Sequence, residues 1–192
     1  AQENGYAEKD PTADVEGFDT CRKIAILTSL AFGKFVNSED IQTEGITNIT
    51  LEDVEYASEF GGVIKLVGMS ERAENGAYAR VCPVILKKDH PLAGIDDVFN
   101  GILVKGDALG DVMFYGRGAG SLPTASAVVS DVVDIIKHKH THIVLGWTEG
   151  EPGYLLDADD QAFRMYVRIS GSSDSAAFCR EGFNVITLDG EK

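Results

Sequence analysis

Four short apolar runs in the middle of the chain constrain its fold more than any other feature of the sequence. Each run is rich in β-branched or aromatic residues and is bounded by turn residues, which is typical of β-strands. The four runs cover residues 63–69, 78–86, 99–104 and 111–115. The Asn75-Gly76 pair and the glycine-bounded turn at 106–110 are hairpin signals, so neighbouring runs should pair antiparallel. Pro83, inside the second run, lacks an N–H donor and favours a sheet edge or a β-bulge.

Amphipathic helical patterns flank these runs. Apolar residues recur at helical spacing over 18–32 and again over 51–60, and the second stretch opens with a capping-box-like sequence at 50–53. A short strand is predicted at 41–45 and a further helix over 123–139. We therefore expect an α+β fold, a two-layer sandwich in which helices pack on one face of a mostly antiparallel or mixed sheet.

Length and composition indicate one main domain. A chain of 192 residues with 44% hydrophobic residues can bury a sizeable core. We predict a main domain over 1–145, a linker over 146–162 where glycine, proline and acidic residues concentrate, and a small strand–helix–strand segment over 163–192. The first four residues read as the last turn of a helix that ends at Gly5, and no initiator methionine precedes them. We therefore expect the chain to come from a longer protein.

Charge and hydropathy argue against several classes of partner. The net charge is −14, whereas nucleic acids and anionic membranes bind basic surfaces, so neither is an expected partner. No apolar run approaches the roughly 20 residues needed to cross a bilayer. The three cysteines are scattered without metal-binding or disulfide spacing, which suits a cytoplasmic protein. His138, His140 and His142 alternate after a predicted helix end without an interleaved cysteine or carboxylate, so we expect no metal site.

An acidic stretch leads into the first long helix. It holds five acidic side chains within twelve residues, namely Glu8, Asp10, Asp14, Glu16 and Asp19. Pro11 and Gly17 predict an irregular loop there, which could receive a cationic group. Helical spacing places Asp19 and Lys23 on one face, where a carboxylate can hold an ammonium and help tune it for acid–base chemistry. An ordinary surface ion pair is the alternative, which would stabilise the helix by about 0.2 to 0.5 kcal/mol.

Two motifs resemble signatures of one enzyme family. The run G-Y-A-E-x-D-P-T-x-D-V-x-G-x-D-x-x-R-K at 5–23 resembles the substrate-binding and catalytic signature of homoserine dehydrogenases. The stretches at 98–104 and 116–131 resemble that family's second signature. The resemblance covers roughly residues 1–140. It implies the NAD- or NADP-dependent interconversion of L-homoserine and L-aspartate 4-semialdehyde, a step in threonine, methionine and isoleucine biosynthesis.

The resemblance also implies roles for single residues. Lys23 would be the acid/base catalyst, and Asp19 would bind the substrate hydroxyl and orient that lysine. Glu8 would receive the substrate amino group with Asp14 nearby, and Tyr6 would belong to the same substrate-binding motif. On the cofactor side the resemblance names three glycines, which are Gly5, Gly118 and Gly120. Without the family, the glycine-rich turn at 116–120 reads as a tight strand-to-helix turn, because it matches no nucleotide-binding fingerprint.

The family further implies an N-terminal nucleotide-binding domain that would hold most of the cofactor and that this chain lacks, and a homodimer or higher homo-oligomer. The segment at 163–192 resembles half of an ACT regulatory domain. Two alternatives stay open at this point. One is a related two-domain oxidoreductase acting on another amino acid, and the other is a non-catalytic amino-acid-binding or assembly module that binds threonine or another end product near residues 163–188.

Overall fold

The structure is a computed structural model that describes residues 10–141, 144 and 146–168. Its regular elements in chain order are α1 (Thr12–Val15), α2 (Phe18–Phe32), β1 (Gln42–Thr43), α3 (Leu51–Glu59), β2 (Gly62–Ala73), β3 (Gly76–Lys87), β4 (Phe99–Gly106), β5 (Gly110–Arg117) and α4 (Ser121–Lys137). Short 3₁₀ turns occupy Ser38–Asp40 and Ala158–Asp160. None of the helices in this described part is long and apolar enough to cross a membrane.

The strands form two small sheets. β2 and β3 pair antiparallel from Gly62↔Lys87 to Ala73↔Gly76, and β1 pairs parallel with Arg80 and Val81 to give the order β1-β3-β2. β4 and β5 form a separate antiparallel pair. The predicted α+β class and both predicted hairpins are therefore confirmed. The strands are longer than the apolar runs, because backbone pairing continues into solvent-exposed positions that need no apolar side chain.

Pro83 lies in the middle strand of the larger sheet but at a local edge. β1 covers only residues 80–81 of β3, so the side of β3 that faces away from β2 has no partner strand at Pro83 among the described residues. The β2–β3 register runs without interruption, with Pro83 opposite Leu66, so no bulge is present in this pair. Of the two predicted alternatives for Pro83, a sheet edge or a β-bulge, the structure shows the sheet edge.

Helices α2 and α3 pack on the same face of the β2–β3 hairpin. A Cβ atom added at Gly68 would lie 3.1 Å from the Cβ of Ile24, and one at Gly62 would lie 3.4 Å from the carbonyl oxygen of Ala57. Gly62 and Gly68 are six residues apart on one strand and therefore project to the same side. The buried core beneath the helices consists of Cys21, Ala25, Val36, Ile41, Ala79 and Val81. Small residues and glycine let α2 approach the sheet closely.

Three predicted boundaries are corrected. α4 begins at Ser121, two residues before Pro123, and ends at Lys137. The first turn of a helix needs no N–H from its third residue, so proline fits inside it. The strand predicted at 41–45 is reduced to Gln42–Thr43. The strand predicted at 163–169 is wrong over 163–168, which has no regular secondary structure, and the rest of the C-terminal segment lies outside the described residues.

The stretch that composition marks as a linker lies against the main domain. Thr148 forms a bridge with Lys34, and Leu155 forms a bridge with Ala77 at the start of β3. Tyr154 and Leu155 pack against the core. The boundaries of the predicted domains remain predictions, but residues 146–162 are anchored by backbone pairing.

The second sheet carries an apolar face. Two cross-strand pairs, Ile102↔Phe114 and Val104↔Val112, bring four apolar side chains together on one side of β4–β5. All four are exposed, Phe114 to 61%. The four residues Ile102, Val104, Val112 and Phe114 are called the hairpin apolar face below.

The close approach at Gly68 leads to a stability prediction. Gly68→Val places methyl groups against Thr20 and Ile24 of α2, so we expect the free energy of unfolding to fall by about 1 to 3 kcal/mol. Gly116→Val is the matched control, since Gly116 is also a strand glycine and a Cβ there meets nothing within 4 Å. Urea unfolding monitored by circular dichroism measures both. Equal midpoints for the two variants would contradict the close packing of α2.

Candidate active site

The start of α2 is set by a glycine that no other residue would replace without strain. Gly17 has φ +80° and precedes the first residue of the helix. A Cβ at Gly17 would also lie 3.2 Å from Val81 and 3.3 Å from Thr43. The left-handed conformation and the close contact with β3 and β1 both require glycine. The first turn of α2 is thereby held against the sheet.

The predicted pair of Asp19 and Lys23 is present on the outer face of this helix. Lys23 Nζ lies 2.7 Å from Asp19 Oδ2, and the two side chains are 62% and 45% exposed. Residues of the same helix that face the sheet are buried, among them Cys21 and Ala25. Because one face of α2 is buried against the sheet, the opposite face points to solvent. The ammonium of Lys23 and the carboxylate of Asp19 are therefore held together and are accessible.

Cys21 lies between these two residues in sequence but points the other way. It is 5% exposed, and its Sγ donates a hydrogen bond to the carbonyl oxygen of Ser38 at 3.2 Å. This arrangement fits a packing role, and nothing places the thiol beside Asp19 or Lys23.

Over Thr12–Val15 the acidic lead-in is a helical turn, not the irregular loop that was predicted, and Glu8 lies outside the described residues. The carbonyl oxygen of Pro11 accepts hydrogen bonds from the N–H groups of Asp14 and Val15 at 3.0 Å, which closes α1. Asp10 accepts from the hydroxyl and the N–H of Thr12, and these bonds lower the pKa of its carboxyl group. The Asp10 carboxylate is thus occupied at the start of α1, whereas Asp14 is exposed.

The junction between α1 and α2 is tied to the loop after β1. The N–H of Ile46 donates to the carbonyl oxygen of Val15 at 2.7 Å. Gly45 lies so close that an added Cβ would be 2.3 Å from the same oxygen. Asp14 and Glu16 therefore sit on a turn whose position relative to Asp19 is fixed by backbone contacts.

The structure places some of the predicted site residues and leaves others undescribed. Asp14, Asp19 and Lys23 lie on the consecutive helices α1 and α2. Gly5, Tyr6 and Glu8 lie outside the described residues. The roles suggested for all of these residues remain predictions.

In the glycine-rich turn between β5 and α4, the local structure favours glycine at two positions. Gly120 has φ +118° and is the residue immediately before α4. A Cβ at Gly118 would lie 1.6 Å from Nδ2 of Asn100, so a larger residue there would require the Asn100 side chain to move. Among the hydrogen bonds and ion pairs of the described residues, none joins this turn to Asp19 or Lys23. Within the described residues, the turn and the ion pair are therefore not linked by a hydrogen bond or an ion pair.

The histidine run gives no metal centre in the part of the chain that the structure describes. His138 is the residue after α4, and its Nδ1 lies 3.1 Å from Asp134 Oδ1 and 3.0 Å from that residue's carbonyl oxygen. Residues 10–141, 144 and 146–168 contain no group of three or more His, Cys, Asp or Glu side chains that could hold an ion. His142 lies outside these ranges.

Sequence reasoning missed one cluster of polar side chains at the start of α3. Asp53, with 3% of its side chain exposed, contacts Tyr166 and Arg168 from the far end of the described chain. The capping sequence at 50–53 pointed to Asp53 as a helix residue, but no local pattern could reveal partners more than one hundred residues away.

Comparison with known proteins identifies the relatives of this chain. The residue pattern of the homoserine dehydrogenase family matches residues 1–133. The homoserine dehydrogenase of Synechocystis sp. is 53% identical over 140 residues, which are 71% of this chain and 32% of that protein. That of Bacillus subtilis is 46% identical over 138 residues, which are 72% of this chain and 32% of that protein. The chain spans about a third of the length of these curated relatives.

Solved structures agree with the sequence comparison. A homoserine dehydrogenase from Thiobacillus denitrificans superimposes with a TM-score of 0.71 at 46% identity, over 82% of this chain and 37% of that one. A hyperthermophilic archaeal homoserine dehydrogenase in complex with NADPH gives a TM-score of 0.58 at 26% identity, over 75% of this chain and 40% of that one. The family pattern covers more than half of the chain, and both the curated relatives and the solved structures agree with it. The chain belongs to the homoserine dehydrogenase family.

Proposed function

We propose that this chain supplies the substrate-binding and acid–base part of a homoserine dehydrogenase. The reaction is the interconversion of L-homoserine and L-aspartate 4-semialdehyde with NAD or NADP. The observation that carries the proposal is the Asp19–Lys23 pair, 2.7 Å apart on the accessible face of α2, within a chain of this family.

The proposed chemistry assigns proton transfer to Lys23. In the oxidation of homoserine, the neutral amine of Lys23 removes the proton from the substrate hydroxyl. In the reduction of the semialdehyde, its ammonium returns a proton to the carbonyl oxygen. The nicotinamide cofactor supplies or accepts the hydride when bound. Asp19 holds Nζ of Lys23 in place and contacts the same hydroxyl, so one carboxylate orients both the catalyst and the substrate.

Recognition of the amino acid needs negative charge, because the substrate carries an ammonium group. We assign this to Glu8 with help from Asp14, which is exposed on α1 one turn before Asp19. Tyr6 is proposed to complete the same pocket. Lys23 is 62% exposed in the described chain, so substrate or another part of the protein must cover it to shield proton transfer from bulk water.

For the cofactor, this chain offers little beyond a backbone surface. Gly118 is packed against Asn100, and Gly120 opens α4 in a conformation that leaves the helix N-terminus without a side-chain cap. We propose that Gly120 and Gly118 lie along the nicotinamide side and that Gly5 contacts the cofactor as well. The remaining contacts, including those that choose NAD or NADP, are assigned to a nucleotide-binding domain outside this chain.

The hairpin apolar face supports self-association. Four apolar side chains on one side of a two-stranded sheet are costly to leave in water, and two copies of the same face would cover each other symmetrically. We therefore propose that the protein is a homodimer or a higher homo-oligomer and that β4–β5 lies in the contact.

Variants of Lys23 test the catalytic assignment. In the intact protein, or in a hybrid in which this chain replaces the matched segment of the Synechocystis relative, Lys23→Ala should lower kcat/KM by about 10²- to 10⁴-fold. Lys23→Arg should be equally impaired, because a guanidinium keeps the pairing with Asp19 but does not release its proton. Semialdehyde reduction followed at the reduced-nicotinamide absorbance, with each cofactor in turn, measures both.

Lys105→Ala is the control for this series, since Lys105 is an exposed lysine of the β4–β5 hairpin. Its kcat/KM should equal that of the wild type. If Lys23→Arg retained nearly full activity, Lys23 would be a charge partner and not the acid–base group, and the proposed mechanism would be wrong.

A charge on the hairpin apolar face tests self-association. Phe114→Lys should convert the oligomer to monomers in size-exclusion chromatography with light scattering, because a buried unpaired ammonium opposes the contact. Leu109→Lys is the matched control, since Leu109 is 83% exposed at the hairpin turn, away from the apolar face. An unchanged mass for Phe114→Lys would place the interface elsewhere.

A further inference from the structure

The last described stretch of the chain is held by side chains and not by a β-ladder. Three alternate residues contact the β2–β3 hairpin: Asp159 pairs with Arg80, Gln161 donates to Glu71 at 3.0 Å, and the Phe163 ring lies 4.8 Å from the Arg80 guanidinium. Two further alternate residues, Tyr166 and Arg168, contact α3. The segment therefore crosses from the sheet to the N-terminus of α3 on polar and aromatic contacts.

The group on α3 that binds this segment is the buried carboxylate of Asp53. Its Oδ2 accepts the N–H of Thr50 at 2.7 Å, and the N–H of Asp53 donates to Oγ1 of Thr50 at 3.3 Å, which together close the capping box of the helix. Oδ2 also accepts the hydroxyl of Thr50 at 2.8 Å. Its Oδ1 accepts the hydroxyl of Tyr166 at 2.8 Å. Arg168 pairs with Oδ2 and also donates to the Thr50 hydroxyl at 2.6 Å. Oδ2 is thus shared between the helix cap and Arg168, whereas Oδ1 is bound by Tyr166 of the distant segment.

Because the cap of α3 depends on Thr50 and not on residues 163–168, the contact with this segment can be lost while the fold remains. If residues 163–168 left, α3 would keep its cap through Thr50, and Oδ1 of Asp53 would become free to bind water. The aliphatic residues of the segment oppose departure little, since Met165 is 81% exposed and Val167 is 55% exposed, whereas the aromatic residues Phe163 and Tyr166 are 43% and 37% exposed. The attachment at α3 depends on the phenol of Tyr166, the guanidinium of Arg168, and the neighbouring ring of Tyr56, 6.5 Å from that of Tyr166.

We propose that the N-terminus of α3 is a docking site for a Tyr-x-Arg segment, occupied in this protein by Tyr166 and Arg168 of the same chain, and that the segment can detach while the helices and the β2–β3 hairpin stay folded. Asp53 is the central residue of the docking site. The site fixes where the chain that follows residue 168 departs from the main domain. This assignment is independent of the roles given to Asp19 and Lys23.

Backbone nitrogen-15 relaxation in the intact protein tests the docking site, because the segment is held by side chains and its N–H groups make no backbone hydrogen bond among the described residues. Tyr166→Phe keeps the ring and removes only the hydroxyl that satisfies Oδ1, and Arg168→Gln removes the charge partner. The loss of a hydrogen bond to a charged group should favour the detached state by about tenfold or more, so we expect each variant to lower the order parameters over residues 163–168 toward the flexible range, below about 0.6. Order parameters in the β2–β3 hairpin should not change.

Met165→Ala is the matched control in the same segment, and its order parameters should match those of the wild type. Two results would overturn the proposal. Unchanged order parameters over 163–168 in both Tyr166→Phe and Arg168→Gln would show that the contacts do not hold the segment. An equal decrease in the β2–β3 hairpin would show that the segment is an inseparable part of the fold.

The ionisation of Asp53 gives a second test. Burial raises the pKa of Asp53, but the hydrogen bonds from Thr50 and Tyr166 and the charge of Arg168 outweigh it, so the pKa lies below the usual aspartate range. Burial and the neighbouring Asp53 carboxylate raise the pKa of Tyr166 to about 12. The contribution of the ionised Asp53 carboxylate to the stability of the docked contact is therefore present above the usual aspartate pKa and is lost as the pH falls through its lowered value. The contribution of the Tyr166 hydroxyl to the same contact is lost only as the pH rises from about 10 toward 12.

Carbon-13 NMR of the Asp53 carboxyl group measures this directly. In Tyr166→Phe the carboxylate loses a donor, so its titration midpoint should rise toward the usual range, while Met165→Ala should leave it in place. Arg168 and Tyr56 are the other titratable groups near the site and remain in both variants. An unchanged midpoint in Tyr166→Phe would show that the phenol is not bound to Asp53 in solution.

Discussion

The close contact between α2 and the β2–β3 hairpin is the interaction on which the rest of the structure depends. It is possible because glycine or alanine stands at several of the contacts, namely Ala25 on the helix and Gly68 and Ala79 on the sheet. The side chains of Thr20 and Ile24 on α2 pack against Gly68, and Ala79 and Val81 of β3 complete the buried layer. Burying one face of α2 fixes its rotation, and this rotation decides which residues face outward. The hydrophobic contact therefore determines the position of the polar pair.

The polar pair itself contributes little to the stability of the fold. Asp19 and Lys23 are about half exposed, and exposed ion pairs of this kind typically contribute 1 kcal/mol or less. The helix would form without them, since its ends are set by Gly17 and Gly33 and its inner face by Cys21 and Ala25. The fold therefore does not account for a pair held at 2.7 Å on an accessible face, whereas the proposed chemistry would account for it.

The segment at 154–168 shows a different way of attaching chain to a domain. Leu155 first pairs with the edge of β3, and the following contacts are made by single side chains with Arg80, Glu71 and Asp53. Phe163, Met165 and Val167 alternate as in a half-buried strand. The structure does not follow that alternation, because Met165 and Val167 are 81% and 55% exposed while Tyr166 and Arg168 make the contacts with Asp53. A local pattern therefore did not reveal which residues of this segment are bound.

The sequence by itself determined the α+β class, the two hairpins, the glycine end of α2, the capped start of α3 and the spacing of Asp19 and Lys23. These depend on contacts between near neighbours, such as turn residues, helix caps and side chains four residues apart, so the local sequence contains the information. The tertiary structure alone decided that Pro83 lies at a local edge and that the composition-marked linker packs on the core. It also decided that Asp53 binds Tyr166 and Arg168. These features join residues far apart in the chain, and their geometry exists only after the core has formed.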